Sequence, residues 1–330
     1  MLWALFLALS FIWGSSFLFI KIGLDEGMGP LTIVAYRLGI ATLFLVAVGL
    51  LTGARIPRDR RTLLIVGALG PLNVIIPFVL ITSAEQYISS ALAAILNGLV
   101  PLFTIVMAAI ALRDEPITLN RLAGLLLGFI GAALLVSPNL TGEAFGLGGQ
   151  QLLGELMLVV ACLAYALAAV YIRALVSGKP LGADADGTRR PLKAVEVSIV
   201  QSLVALAMIA VLAVVFEGRP GAPIALPPTF KALFAVTWIG LLGSGVAYLL
   251  LFRLIDAWGA TRTTMVTYVM PVVGIALGVI VLQETLHLAE IAGTVLVIGG
   301  VVLASSSIGN RRLVGRAAVA PAAPVTPTPK

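Results

Sequence analysis

Three observations predict an all-α integral membrane protein with ten transmembrane helices in two inverted five-helix repeats. The composition is too apolar for water, ten apolar runs have spanning length, and the chain matches itself at an offset of 170 residues. Of 330 residues, 60% are hydrophobic and 11% charged, with a mean hydropathy of +1.11. Soluble domains carry about a quarter charged residues, so most of this chain needs lipid around it. One cysteine, Cys162, permits no internal disulfide, and one histidine, His287, excludes the clusters that hold zinc, haem or iron–sulfur centres. No cofactor or metal is expected. The net charge of +6 is scattered through short loops between apolar runs. That distribution argues against a nucleic-acid partner and reports orientation in a bilayer instead.

A hydrocarbon core about 30 Å thick takes about 20 helical residues. Runs of that kind, bounded by charge, Pro or Gly, lie at 2–24, 31–52, 62–82, 88–112, 120–137, 152–174, 194–216, 230–252, 260–282 and 288–307. They are continuously apolar and too long for the alternating strands of a barrel. The first run has no basic segment before it and reaches Lys21 without a small-residue cleavage site, so it reads as helix 1, retained. Helix 3 contains Pro71 and Pro77 around Asn73, and helices 4 and 9 carry Pro101 and Pro271 near their centres. Glu115 and Glu284 stand where helices 5 and 10 start, a place the helix dipole favours for a carboxylate. With the N-terminus inside, seventeen of the 21 Lys and Arg fall on the inner side, leaving only Lys21, Arg37, Arg219 and Lys231 outside. The positive-inside rule then makes both termini cytoplasmic, in a plasma membrane of bacterial type. Residues 308–330, rich in Ala and Pro, read as a disordered tail.

The self-match superposes Ser90, Ala94, Asn97, Pro101, Thr104 and Ala108 of helix 4 on Ala260, Thr264, Thr267, Pro271, Gly274 and Gly278 of helix 9. Steps of three and four place these residues on one helical face. Gly70 matches Gly240 at the same offset, and with one deletion Glu115, Gly124 and Gly131 match Glu284, Gly293 and Gly300. The repeats are therefore 1–137 and 152–307, joined by an outer linker at 138–151. Five helices per repeat is odd, so the second repeat enters the membrane from the opposite face. Inverted repeats can exchange conformations, which supplies inward-open and outward-open states of similar energy and favours alternating access.

Candidate solute-binding residues are polar or aromatic groups within spans. Trp13, Tyr36, Tyr165, Tyr248 and Tyr268 need partners for their N–H or O–H groups; a cavity or ordinary core packing can supply them. Asn97 and Thr267 interrupt small-residue stripes and should face the interior, where a polar group avoids lipid. Arg37 lies about 9 Å into helix 2. It either snorkels outward or holds a substrate carboxylate, a role that suits its neighbour Tyr36. Ser16, Asn73 and Gln201 complete the set. The prolines Pro71, Pro77, Pro101 and Pro271 mark helix breaks near a midplane site or kinks that aid packing. Lys21 reads as a snorkelling anchor. None of the 15 acidic residues lies near a span centre, and Glu155, Glu196 and Glu290 sit at helix ends. Facilitated diffusion, exchange or weak coupling is expected.

These residues resemble the drug/metabolite transporter superfamily, in particular its ten-helix EamA family. Trp13-Gly14-Ser15-Ser16-Phe17 with Lys21 looks like the helix 1 signature, and Arg37 stands where helix 2 of the family carries arginine. Ala91 through Pro101 with Arg113-Asp114-Glu115 resembles the helix 4 pattern, repeated by Gly259-Ala260 through Pro271 and Gln283-Glu284. The second half departs from the helix 1 motif, with Tyr165-Ala166 in place of Trp-Gly. The resemblance implies export, less often import, of small metabolites such as amino acids; multidrug efflux is the alternative. The partners expected are a small-molecule substrate and the lipid bilayer, and the small-residue faces fit a monomer as well as a homodimer. An enzyme is not expected. Leu242-Gly243-Ser244-Gly245 is similar to an intramembrane protease motif but lacks its first glycine, and His287 lies far from Ser244 along the axis. A membrane scaffold is the other non-transporter possibility.

Overall fold

Residues 2–111, 117–140, 148–183, 187–218, 224–258, 263, 266–305 and 312–314 are described in the structure, a computed structural model. The fold is all-α, with helices in each of the ten predicted runs. Seven of them are long and apolar enough to cross a membrane, and three shorter apolar helices, Leu119–Leu135, Val266–Leu282 and Leu288–Ala304, occupy the other runs. We number them α1 (Leu2–Asp25), α2 (Pro30–Leu51), α3 (Arg60–Ala84), α4 (Ser90–Ala111), α5 (Leu119–Leu140), α6 (Gly148–Tyr171, continued by Ile172–Val176), α7 (Ala194–Phe216), α8 (Phe230–Trp258), α9 (Val266–Leu282) and α10 (Leu288–Ser305). The start expected for α9 at 260 falls on residues 259–262, outside those described.

Helix starts are closed by carboxylates, from distant parts of the chain on α2 and α4 and from local residues on α3 and α10. Pro30 opens α2, where its missing N–H is no loss, and the Glu217 carboxylate accepts from the Leu31 and Thr32 N–H groups at 2.8 Å each. Asp59 accepts from Thr62 N–H at the start of α3. Glu284 was expected to start its own helix. It instead accepts from the N–H groups of Ser90 and Ala91 at 2.7 and 2.9 Å, capping α4. Glu290 takes the capping role on α10 by accepting from His287 N–H. The physical rule, a carboxylate on unpaired helix N–H groups, is unchanged; packing brings α4 rather than α10 to Glu284. Glu115 lies outside the described residues.

Among the described residues three helices contain wide π turns: Gly70–Ile75 in α3 and Trp238–Val246 in α8 lie within spans, and Ile172–Val176 ends α6. Gly70 and Gly240 are the pair matched at offset 170. In α3, Pro71 and Pro77 deny hydrogen bonds to Gly67 and Asn73, four residues earlier, and a wider turn accommodates the loss. In α8 the segment Gly240-Leu241-Leu242-Gly243-Ser244-Gly245 has little side-chain bulk to resist widening. α4 breaks between Asn97 and Val100, where Pro101 removes the donor due to the Asn97 carbonyl and its ring crowds that oxygen. Pro271, expected to break α9, sits inside a continuous helix. Neighbouring packing holds α9 there, with Gly14 of α1 against the Met270 carbonyl and Val273.

Small residues let backbones touch. Gly274 and Gly278 of α9 meet Ala94 and Ser90 of α4, so the two stripes face each other. Gly124 of α5 lies against Gly300 of α10, and Gly131 against Gly293. The contact is reciprocal between matched glycines, as a two-fold axis between α5 and α10 would require. Large exposed side chains such as Leu43, Ile110 and Val211 cover outward faces, which suits lipid rather than water. The only strands among the described residues are β1 (Ile117–Thr118), β2 (Gly182–Ala183), β3 (Arg189–Arg190) and β4 (Arg312–Val314). They pair antiparallel as β1 with β4 and β2 with β3. Within the tail expected to be disordered, 312–314 pair with β1; 315–330 lie outside the described residues.

Candidate functional site

A cavity of about 550 Å³ runs between the helices, within the range that holds small molecules. One end reaches Ser177 and Gly178, which are exposed, and Leu192 and Ala194 at the start of α7. The other end stops at Ile20 and Ile81, both buried.

Nine of the eleven candidate residues line it: Trp13, Ser16, Arg37, Asn73, Asn97, Tyr165, Gln201, Tyr248 and Thr267. Tyr36 and Tyr268 do not; both pack against the main hydrophobic core. A tyrosine ring within a span satisfies core packing as well as a cavity wall, and hydropathy alone does not separate the two. Pro271 also lines the cavity, whereas Pro71, Pro77 and Pro101 are not among its lining residues.

Arg37 is 7% exposed, so it does not snorkel. Its Nε donates to the Ser244 hydroxyl at 2.8 Å, and its guanidinium carbon sits 3.7 Å from the centre of the Phe78 ring. The bond and the ring contact hold the guanidinium plane. Among the described residues no carboxylate pairs with Arg37, and its terminal nitrogens keep donors for whatever enters the cavity. Ser244 has this guanidinium, which is not a base, as its side-chain partner. Its positioning of Arg37 was not visible from the sequence.

The same contact recurs on the other side. Gly240 of α8 abuts the Arg37 carbonyl and Ile40 of α2, and Gly70 of α3 abuts the Gln201 carbonyl and Val204 of α7. Arg37 and Gln201 thus occupy corresponding places. Each bonds a residue of the facing π turn: Arg37 to Ser244, and Gln201 Oε1 to Asn73 Nδ2 at 3.3 Å. One position of the pair carries a cation and the other a neutral amide.

Trp13 Nε1 donates to the Gly243 carbonyl at 3.1 Å. Its N–H therefore has a protein partner, and only the indole face is offered to the cavity. The wide turn explains the acceptor, because π geometry re-aims carbonyls that a regular helix would turn inward. Ser16 returns its hydroxyl proton to the Ile12 carbonyl. Asn97 Oδ1 is buried without a hydrogen-bond partner. Asn73, Asn97 and Thr267 each precede a proline by four residues, namely Pro77, Pro101 and Pro271. That spacing places a polar side chain beside a carbonyl deprived of its usual donor, a signal available in the sequence and missed above.

The carboxylates expected at helix ends are structural where their partners are seen. Glu196 accepts from the Arg55 and Lys193 N–H groups at 2.8 Å each and holds Arg190 bidentately at 2.7 and 2.9 Å. Lys21 is no snorkelling anchor, since its Nζ donates to the Glu85 carbonyl at 2.8 Å.

A model of the EamA-like transporter family matches residues 1–137 and 152–306. Similar proteins include an uncharacterized transporter of Archaeoglobus fulgidus, 26% identical and covering 88% of this chain and 93% of its own. The uncharacterized inner membrane transporter YedA of Escherichia coli is 28% identical over 95% of this chain and 93% of its own. A solved protein crystal structure superposes with a TM-score of 0.62, covering 91% of this chain and 95% of its own at 19% identity; that likeness bears on the fold alone.

Proposed function

Because the chain belongs to the EamA-like transporter family, we propose that it carries small amphipathic metabolites with a carboxylate group, amino acids among them, through the cavity between its repeats. The observation that carries this is Arg37, a buried cation that lines the cavity, is fixed by Ser244 and Phe78, and makes no ion pair with a protein carboxylate among the described residues. An unpaired buried charge is costly, and a substrate anion is the compensation that a carrier can accept and release. Asn97 Oδ1 offers an acceptor for a substrate N–H or ammonium. Trp13, Tyr165 and Tyr248 supply surface for an apolar side chain.

Alternating access is supported by the reciprocal glycine contacts of α5 with α10 and by the paired Arg37–Ser244 and Gln201–Asn73 contacts, which two inverted repeats would produce. The open end of the cavity lies beside Arg173, Lys179, Arg189, Arg190 and Lys193. Under the positive-inside rule that side is cytoplasmic, which supports the reading of an inward-open carrier with both termini inside, in the plasma membrane of a bacterial cell. YedA is named an inner membrane transporter, in keeping with that placement. Export is the proposed direction. The aromatic wall favours xenobiotic efflux as a second possibility.

Counterflow from proteoliposomes loaded with a mixed pool of amino acids, organic acids, amines and lipophilic cations separates them. Selective, saturable loss of carboxylate-bearing solutes, abolished in Arg37→Ala, is the expected result. Loss of lipophilic cations untouched by that substitution would establish the efflux alternative instead.

A further inference from the structure

Glu85 was not among the acidic residues singled out in the sequence, because it follows the last residue of α3. The structure buries it completely, and neither carboxylate oxygen has a hydrogen-bond partner. Its position is one helical turn beyond Ile81, where the cavity stops, so it belongs to the closed end. At that end Lys21 reaches across from α1 and gives one of its three N–H groups to the Glu85 main-chain carbonyl, while its charge still acts on the carboxyl. The other charges whose fields reach the carboxyl are Glu284 in the loop after α9, Arg37 of α2 and Asp25 of α1. Glu284 is already committed to the Ser90 and Ala91 N–H groups. From α6, whose Gly154 packs on the Ala84 carbonyl, comes a second fully buried carboxyl, Glu155.

An ionised carboxylate in this place would lose its hydration and receive no hydrogen bond in return, a cost that the charges of Lys21 and Arg37 offset only in part and those of Glu284 and Asp25 add to. A neutral carboxylic acid loses far less, because it carries no charge to desolvate. We propose that Glu85 is a proton-binding site whose neutral acid form fits the closed end of the cavity and whose ionised form belongs to the opened end. When that end opens, entering water takes the proton from the carboxyl oxygen and hydrates the carboxylate; on closure water returns the proton and leaves. Acid on that side then favours the closed end, and alkali favours its opening. The gating consequence rests on the proposed carrier function, whereas the proton site does not.

Infrared spectra of the full chain in lipid nanodiscs, recorded across pH, test the site. The expected result is a carboxylic-acid C=O band at neutral pH that shrinks as pH rises, is lost in Glu85→Gln and is kept in Glu155→Gln. A wild-type protein without the band, or a band lost only in Glu155→Gln, overturns the proposal, and the wild-type and Glu155→Gln spectra decide even if Glu85→Gln does not fold. Gating is read by a membrane-impermeant maleimide on Ile20→Cys in a Cys162→Ala chain. Labelling, taken at each pH relative to the same cysteine in the denatured protein so that thiol ionisation cancels, should rise with pH and lose that rise in Glu85→Gln; an equal relative rise in both overturns the gate. A missing infrared band leaves a positive counterflow result intact, and absent counterflow leaves the band intact, so the two failures are distinguishable.

Discussion

Arg37 donates through Nε to the Ser244 hydroxyl at 2.8 Å, joining α2 to the π turn of α8 across 207 positions of chain. Hydrogen bonds to charged groups contribute about 1.5–3 kcal/mol. Ser244→Ala should therefore weaken half-saturation for a carboxylate substrate by about tenfold or more, given 1.4 kcal/mol per decade, with the protein still folded. Arg37→Lys should not restore Arg37→Ala, because an ammonium cannot hold Ser244 and a carboxylate with one planar fork. Counterflow on the three variants decides, and full activity of Arg37→Lys would remove the guanidinium from the account.

Asn97 separates binding from stability. Its Oδ1 is buried and unpaired, so Asn97→Leu removes an unsatisfied acceptor and should leave thermal stability unchanged or raised. Transport of ammonium-bearing solutes should fall while that of simple carboxylates persists. A drop in melting temperature would mean that Oδ1 has a structural partner.

Glu284 caps α4 from the far side of α9. Replacing it with Ala should cost about 1–2 kcal/mol, the usual scale for a lost helix cap, read as a lower melting temperature in detergent. Glu284→Gln keeps an acceptor and should recover part of the loss.

The α5–α10 contact has no spare volume. A methyl group at Gly300 would meet the Gly124 carbonyl and the Gly128 backbone, so Gly300→Ala should destabilise by about 1–3 kcal/mol. Gly299→Ala, beside it but 3.7 Å from its nearest neighbour, Leu127, should be nearly silent. Equal melting temperatures for the pair would show that the helices separate freely.

Asp59 supplies a pH-dependent term outside the spans. Hydrogen bonds from Thr62 hold its carboxyl below the ordinary carboxylate range. A depressed folded-state pKa adds stability above the unfolded-state pKa and loses it as pH falls through the folded value. Asp59→Ala should thus be less stable than wild type at neutral pH, and the difference should close in acid below that depressed value. The side chain is 41% exposed, so the effect is small and the Arg189 contact at 4.0 Å adds little to it.

Much of the fold is legible in the residues because it depends on properties the chain carries locally. Apolar runs of spanning length, small residues at steps of three and four, and prolines four residues after Asn73, Asn97 and Thr267 are facts of sequence with direct physical consequences in lipid. Of the candidate site, Arg37, Asn97 and Gln201 were reachable because a polar group in a span must turn from lipid. Tyr36 and Tyr268 fall outside the cavity lining and pack on the core, since an aromatic ring satisfies either surrounding. Ser244 and Glu85 were passed over because their importance lies in a partner, or in the want of one, on another helix.

Membrane residence, the all-α class and the places where helices can approach closely or break follow from the sequence by itself, since lipid compels backbone hydrogen bonds to close within each span. Which carboxylate caps which helix, which end of the cavity is closed, and which charges are buried without a counter-ion were decided by tertiary structure. Those outcomes depend on desolvation and on contacts between residues as much as 207 positions apart, and packing determines both.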